Sequence, residues 1–105
     1  MSYKLIAIDL DDTLLNSAHV IPDRARRAVR AATVQGALVV LCTGRTKKGM
    51  QRYYDELGLD TLMITAGGAE VYDASGHVLF SRGVDPALVR QVLEFGDRMG
   101  VHSQV

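Results

Sequence analysis

The chain has 105 residues, of which 48% are hydrophobic, so it can form one modest core and is too short for two ordinary domains. Twelve basic residues balance twelve acidic ones, which excludes a global electrostatic attraction to nucleic acid or to a membrane surface. The single Cys42 excludes an internal disulfide, and the short apolar runs predict neither a signal peptide nor a membrane span, so a cytoplasmic protein is expected.

The first half of the chain alternates short apolar runs with an amphipathic segment. Leu5–Ile8 and Ala37–Cys42 are continuously apolar, which is typical of strands in a parallel sheet that is covered on both faces. Residues 22–36 predict a helix that ends at Gly36, with an apolar side formed by Ala25, Ala28, Val29 and Ala32. Strand, helix and strand together predict a right-handed βαβ unit.

The second half repeats this unit and then changes pattern. A helix is predicted from Thr46 to Leu57, before a third apolar run at Leu62–Ile64. Residues 70–80 predict a hairpin that turns at 73–76, and Asp85-Pro86 predicts the start of a third helix. The expected fold class is therefore α/β, a Rossmann-like three-layer sandwich with a parallel sheet.

Three aspartates follow the first strand within four positions. Asp9 and Asp11 are two residues apart, so an extended backbone points both to the same side, where a hard cation such as Mg²⁺ would relieve their mutual repulsion. Asp12 points the other way and is expected to hydrogen-bond local backbone, helped by Thr13. A solvated acidic turn is the alternative interpretation of this cluster.

The second strand ends in Thr43-Gly44-Arg45, at the same edge of the predicted sheet as the aspartates. Ligands of open α/β sheets bind at this edge, so the two segments are expected to face each other across one crevice. A P-loop is excluded because Met50 stands where lysine is required, and a cysteine-phosphatase loop is excluded because Lys48 stands where arginine is required.

These motifs resemble the haloacid dehalogenase-like superfamily and, within it, the Cof-type phosphatases of sugar phosphates and cofactors. Residues 9–15, "DLDDTLL", match the first motif, Asp-x-Asp-x-Thr, and residues 39–45, "VVLCTGR", match the second. Residues 64–73, "ITAGGAEVYD", are similar to the segment that follows in Cof-type proteins. Gly67 is a departure, since those relatives often have asparagine there.

The resemblance implies Mg²⁺-dependent hydrolysis of small phosphorylated metabolites through an aspartyl-phosphate. Asp9 would be the nucleophile and Asp11 the general acid, and both would hold the metal, Asp11 through its backbone carbonyl. The implied phosphate-binding residues are Leu10, Thr43, Gly44 and Arg45, of which Arg45 is also expected to shape its loop.

The resemblance also implies a division of the chain, with residues 1–83 forming the hydrolase core and residues 84–105 starting an inserted cap domain. Nothing after Val84 resembles the family's phosphate-gripping lysine or its second acidic motif. The chain is therefore expected to be the N-terminal part of a longer enzyme, to be inactive or weak by itself, and to self-associate through the free edge of its first strand.

Non-enzymatic alternatives remain. A Mg²⁺- or phosphate-binding module that acts through a partner would need the same aspartates without turnover. A receiver-like signalling domain would carry its phospho-accepting aspartate at the end of the third strand, where this sequence has Thr65 and Ala66 instead.

Overall fold

The computed structural model describes residues 3–105 and confirms the α/β class. In chain order the elements are β1 (Leu5–Ile8), α1 (Asp23–Val34), β2 (Leu38–Cys42), α2 (Lys47–Leu57), β3 (Met63–Thr65), β4 (Glu70–Tyr72), β5 (Val78–Ser81) and α3 (Pro86–Met99). The strands form one sheet in the order β1-β2-β3-β4-β5, parallel from β1 to β3 and antiparallel from β3 to β5.

Helices α2 and α3 begin and end where the sequence provides capping residues. The Thr46 hydroxyl accepts a hydrogen bond from the Gly49 amide at the start of α2, and Gly58 ends that helix with φ 63°. Asp85 caps α3 in the same way by accepting from the Ala87 amide. The predicted bounds of all three helices are confirmed to within one or two residues.

The core lies on one face of the parallel part of the sheet. Two successive crossovers of the same hand place α1 and α2 on the same face, where they pack against each other. The buried side chains that fill the space between helices and strands are Leu10, Leu14, Leu15, Ile21, Val29, Val39, Leu41, Met50, Tyr53, Tyr54 and Met63.

The opposite face of the sheet differs from what the sequence predicts. Leu5 of β1 and its register partner Leu38 of β2 are each 57% exposed, while Ile6 and Ile8 of β1 pack against the core. The prediction that β1 is covered on both faces is therefore wrong within residues 3–105, because both α1 and α2 lie on the other side. In the same range β1 pairs with β2 alone, and the self-association expected from its free edge stays a prediction.

The third helix forms as predicted but does not bury its apolar side. Leu88, Val92, Phe95 and Met99 are all more than half exposed. The radius of gyration is 16.7 Å, against about 13 Å for a compact domain of this size, which agrees with a helix that extends away from the core. No helix within residues 3–105 has the length and apolar character needed to cross a membrane.

Candidate functional site

A tight turn after β1 presents the aspartates. The Leu14 amide donates to the Asp9 carbonyl at 3.2 Å, and the Leu15 amide donates to the Leu10 carbonyl at 2.9 Å. Leu10 and Leu14 are buried, so they anchor this turn in the core beside β1. Leu10 is 0% exposed, so its side chain faces the core and is not available to a ligand.

The expected role of Asp12 is wrong. Asp12 is exposed, with φ 58°, and its carboxylate makes no hydrogen bond within residues 3–105. The turn is closed by backbone hydrogen bonds instead, and aspartate tolerates the left-handed conformation better than most residues. The Thr13 hydroxyl donates to Asp9 Oδ2, at 3.4 Å, rather than to the backbone.

The loop after β2 is locked to the loop after β3. The Thr43 amide donates to the Ile64 carbonyl at 3.0 Å, and the Thr43 carbonyl accepts from the Gly67 amide at 3.0 Å. The Ala66 amide donates to the Arg45 carbonyl at 2.8 Å. The buried Thr43 hydroxyl accepts from the Arg45 amide at 3.0 Å, which leaves its own proton free to be donated.

These two loops and β3 enclose an open cavity of about 290 Å³ at the carboxyl ends of the parallel strands. Its lining residues are Asp9, Cys42, Thr43, Gly44, Ile64, Gly67 and Gly68. The structure thus brings Asp9 together with Thr43 and Gly44, as the predicted crevice requires. Gly67 has φ 66°, a conformation that favours glycine, and no atom lies within 4 Å of the place of a Cβ.

Asp11 lies in a different environment, since its carboxylate pairs with Arg45. Arg45 Nε donates to Asp11 Oδ2 at 2.8 Å, and a terminal guanidinium nitrogen donates to Oδ1 at 2.6 Å. This bidentate pair lowers the pKa of Asp11 below its ordinary value of 3.8. Asp11 and Arg45 are not among the residues that line the cavity.

A second layer of residues surrounds this pair, and no sequence motif marks it. The Arg45 guanidinium lies 5.4 Å from the ring centroid of Tyr53, whose hydroxyl donates to the His19 carbonyl at 2.9 Å. His19 Nδ1 lies 3.6 Å from Asp11 Oδ1. Tyr53 falls on the apolar side of α2, so periodicity identifies it as a core residue and gives no sign of its polar contacts.

Two further residues near the second motif, Lys47 and Cys42, have surroundings that bear on their roles. Lys47 Nζ lies 5.3 Å from the ring centroid of Tyr72, so this lysine is directed toward the hairpin. Burial and the Asp9 charge raise the pKa of the Cys42 thiol. A raised pKa disfavours the thiolate, which supports the exclusion of a cysteine nucleophile.

The acidic groups fit a hard cation only in part. No group of three histidine, cysteine or acidic side chains in the described range, 3–105, could enclose a metal ion. Asp9 offers a carboxylate whose one side-chain hydrogen bond comes from Thr13, so most of its oxygen lone pairs are available to Mg²⁺. The Asp11 carboxylate is paired with Arg45. The backbone carbonyl of Asp11 is the Mg²⁺ ligand that the resemblance implies.

Comparisons with known sequences agree with the motifs. Residues 6–105 match the family described as haloacid dehalogenase-like hydrolase. A phosphatase of Bacillus subtilis, YwpJ, is 37% identical over 92 residues, which cover 88% of this chain and 32% of that protein. The 5-amino-6-(5-phospho-D-ribitylamino)uracil phosphatase YcsE of the same organism is 44% identical over 76 residues, or 72% of this chain and 30% of that protein.

Solved structures give the same result. A haloacid dehalogenase-like hydrolase from B. subtilis superposes with a TM-score of 0.83 at 35% identity, covering 92% of this chain and 34% of that one. The subclass IIB sugar phosphatase BT4131 has a TM-score of 0.79 at 26% identity and covers 92% of this chain and 38% of that one. The chain thus spans about a third of the length of these relatives, and it belongs to the haloacid dehalogenase-like hydrolase family.

Proposed function

We propose that this chain carries the nucleophile and part of the phosphate-binding site of a phosphatase that acts on small phosphorylated metabolites. The observation that carries the proposal is the cavity that unites Asp9 with Thr43 and Gly44 at the carboxyl ends of the parallel strands. The named activities of YcsE and BT4131 support a sugar phosphate or a phosphorylated cofactor precursor as the class of substrate.

Neutral donors can hold the phosphate oxygens in this cavity. The Thr43 hydroxyl proton is free, and the Gly44 amide donates to no protein group within residues 3–105. The amide of Leu10 is the third donor that the resemblance implies. Donors fixed in place by the surrounding loops stabilise the charge on the equatorial phosphate oxygens throughout the transfer. Arg45 contributes by shaping its loop and by holding Asp11.

In the first step of the proposed reaction, an Asp9 carboxylate oxygen attacks phosphorus. An aspartyl-phosphate forms while the bond from phosphorus to the leaving oxygen breaks, and Asp11 donates a proton to that oxygen. In the second step, water attacks the same phosphorus and Asp11 accepts its proton. The acyl-phosphate bond breaks, which releases inorganic phosphate and restores the Asp9 carboxylate.

The ion pair with Arg45 favours one of the two states of Asp11. Because Arg45 lowers the pKa of Asp11, the carboxylate form dominates in this arrangement, and this form accepts the proton of the attacking water. The acid form needed in the first step requires the hydrogen bonds from Arg45 to loosen. We therefore place a local rearrangement of Arg45 and Asp11 between substrate binding and departure of the leaving group.

Two groups of the chain would hold Mg²⁺, the Asp9 carboxylate and the Asp11 backbone carbonyl. When bound, Mg²⁺ supplies positive charge that reduces the repulsion between the Asp9 carboxylate and the anionic phosphate. The described residues provide no third acidic ligand around these two. The second candidate function is a Mg²⁺- or phosphate-binding module without turnover.

Hydrolysis of p-nitrophenyl phosphate by the purified protein tests the proposal. We expect activity, weak in this chain by itself, that disappears with a chelator, returns with Mg²⁺, and is lost in Asp9→Asn because the nucleophile is lost. Asp12→Asn is the matched control, since it removes the same charge from the same turn and asparagine tolerates positive φ. Mg²⁺ binding without any hydrolysis would instead support the binding module.

A further inference from the structure

One residue of α2, Tyr53, connects both groups that contact the Asp11 carboxylate. Arg45 pairs with Asp11 from one side, and the Tyr53 ring lies 5.4 Å from the Arg45 guanidinium carbon. His19 Nδ1 lies 3.6 Å from Asp11 Oδ1, and the His19 carbonyl accepts the Tyr53 hydroxyl hydrogen bond at 2.9 Å. Tyr53 itself is 1% exposed, so the substrate has no access to it.

The loop that carries His19 is ordered by specific contacts. The Asn16 side chain accepts hydrogen bonds from the Ala18 and Val20 amides, both at 3.0 Å. His19 has φ 55°, a left-handed conformation that is uncommon outside glycine, although histidine adopts it more often than most residues. A residue in this region keeps its conformation where its surroundings determine the backbone.

The hydrogen bonds from α2 supply that constraint. The His19 carbonyl accepts from the Tyr53 hydroxyl and also from the Arg52 guanidinium, at 3.1 Å. Arg52 in turn lies over the same Tyr53 ring, with its guanidinium carbon 4.4 Å from the centroid. The ring of Tyr53 therefore contacts two arginines while its hydroxyl fixes the backbone of residue 19.

We propose that Tyr53 is a positioning residue that sets the orientation of the Asp11 carboxylate for proton transfer. The Tyr53 ring lies beside Arg45, and the Tyr53 hydroxyl fixes the backbone of His19. Arg45 and His19 are the two residues whose side chains lie beside the Asp11 carboxylate. The inference rests on the proposed function, in which Asp11 protonates the leaving oxygen. Proton transfer requires hydrogen-bond distance, so a small displacement of the carboxylate slows that step.

The neighbouring tyrosine provides a matched control. Tyr54 is also buried, at 4% exposure, and its hydroxyl donates to the Thr61 carbonyl at 2.7 Å. Tyr53→Phe and Tyr54→Phe thus each remove one tyrosine-to-backbone hydrogen bond from the same helix and keep the aromatic ring. Only Tyr53→Phe removes a hydrogen bond to the loop beside Asp11. It also removes the hydroxyl that accepts from Arg52 at 2.6 Å, while Arg52 still donates to the His19 carbonyl.

The kinetic test compares an aryl phosphate, p-nitrophenyl phosphate, with an alkyl phosphate, glycerol phosphate. An alkoxide leaving group needs a proton and a nitrophenolate does not, so we expect kcat of Tyr53→Phe to fall about fivefold or more on the alkyl phosphate alone. Tyr54→Phe should change both rates to the same small extent. Equal losses of Tyr53→Phe on both substrates, or the same substrate dependence in Tyr54→Phe, would overturn the proposal.

Amide hydrogen exchange over residues 16–20 provides a readout that does not need turnover. We expect exchange of this loop to become about fivefold faster in Tyr53→Phe and to stay unchanged in Tyr54→Phe. Unchanged exchange in Tyr53→Phe would overturn the positioning role. Failure of the proposed function is distinguishable, because Asp9→Asn would then keep wild-type activity, or the wild type would hydrolyse neither substrate, whatever the loop does.

Discussion

Asp9 and Asp11 are two residues apart in one turn, yet the protein places them in opposite environments. Asp9 lines an open cavity and accepts one long hydrogen bond, from Thr13 at 3.4 Å. Both oxygens of Asp11 are held by Arg45. The difference shows that residues distant in sequence, more than the shared turn, determine the surroundings of each carboxylate. In the proposed function the free carboxylate attacks and the paired one moves a proton.

Among the variants that test the difference between Asp9 and Asp11, Asp11→Asn is expected to lower activity the most. Asparagine cannot donate a proton to the leaving oxygen, so we expect kcat on an alkyl phosphate to fall by about 10²- to 10⁴-fold, with a much smaller loss on p-nitrophenyl phosphate. Steady-state kinetics with both substrates measures this ratio. Equal losses on the two substrates would assign Asp11 a structural or metal-binding role and would remove the distinction between the two aspartates.

Thr43→Val tests the Asp9 side of the comparison. Valine has nearly the same shape but lacks the hydroxyl that is available to the phosphate, so we expect kcat/KM to fall by about 10²- to 10³-fold. The loss should be similar for aryl and alkyl phosphates because phosphate binding does not depend on the leaving group. A selective loss on alkyl phosphates would instead connect Thr43 to Asp11, through the amide of Arg45.

Arg45→Lys is expected to move the pH dependence. Lysine cannot donate to both oxygens of Asp11, so the pKa of Asp11 should rise toward 3.8. The limb of kcat/KM on an alkyl phosphate along which activity falls as Asp11 loses its proton should then move to higher pH. The ion pair also stabilises the fold. Its contribution is fully present above the ordinary pKa of an aspartate, and it is lost as the pH falls through the lowered pKa of Asp11. A limb at unchanged pH would show that Arg45 does not control Asp11.

The smallest effect on catalysis is expected at a third carboxylate, that of Asp73, which has no role in the proposed reaction. Its Oδ1 accepts from the Ser75 hydroxyl at 2.6 Å and from the amides of Ser75 and His77, and these bonds lower the pKa of Asp73 to about 2. Ser75→Ala should raise this pKa toward 3.8 without changing catalysis. Carbon-13 NMR of the carboxyl group measures the titration, and an unchanged pKa would contradict the assigned cause.

Much of the fold follows from sequence patterns because they are local. The helix cap at Asp85 and the turn after β4 are each specified by a few neighbouring residues, and the structure confirms them. The meeting of Asp9 with Thr43 follows from topology, because parallel strands bring their carboxyl ends to one edge.

The remainder depends on contacts between distant segments. An apolar run such as Leu5–Ile8 shows that a strand forms, but only the order of the strands and the side taken by each helix decide that Leu5 stays exposed. In the same way, Tyr53 has the spacing of a core residue, and its bond to His19 spans 34 positions with no motif at either end.

The central claim, that Asp9 attacks phosphorus, has one direct test. The purified protein is mixed with substrate, quenched in acid and treated with borohydride, which reduces an aspartyl-phosphate to homoserine, and residue 9 is then identified by peptide mass spectrometry. The account predicts homoserine at position 9, only after exposure to substrate, and intact aspartate at positions 11 and 12. Turnover of substrate with aspartate 9 unmodified at every quench time would contradict it.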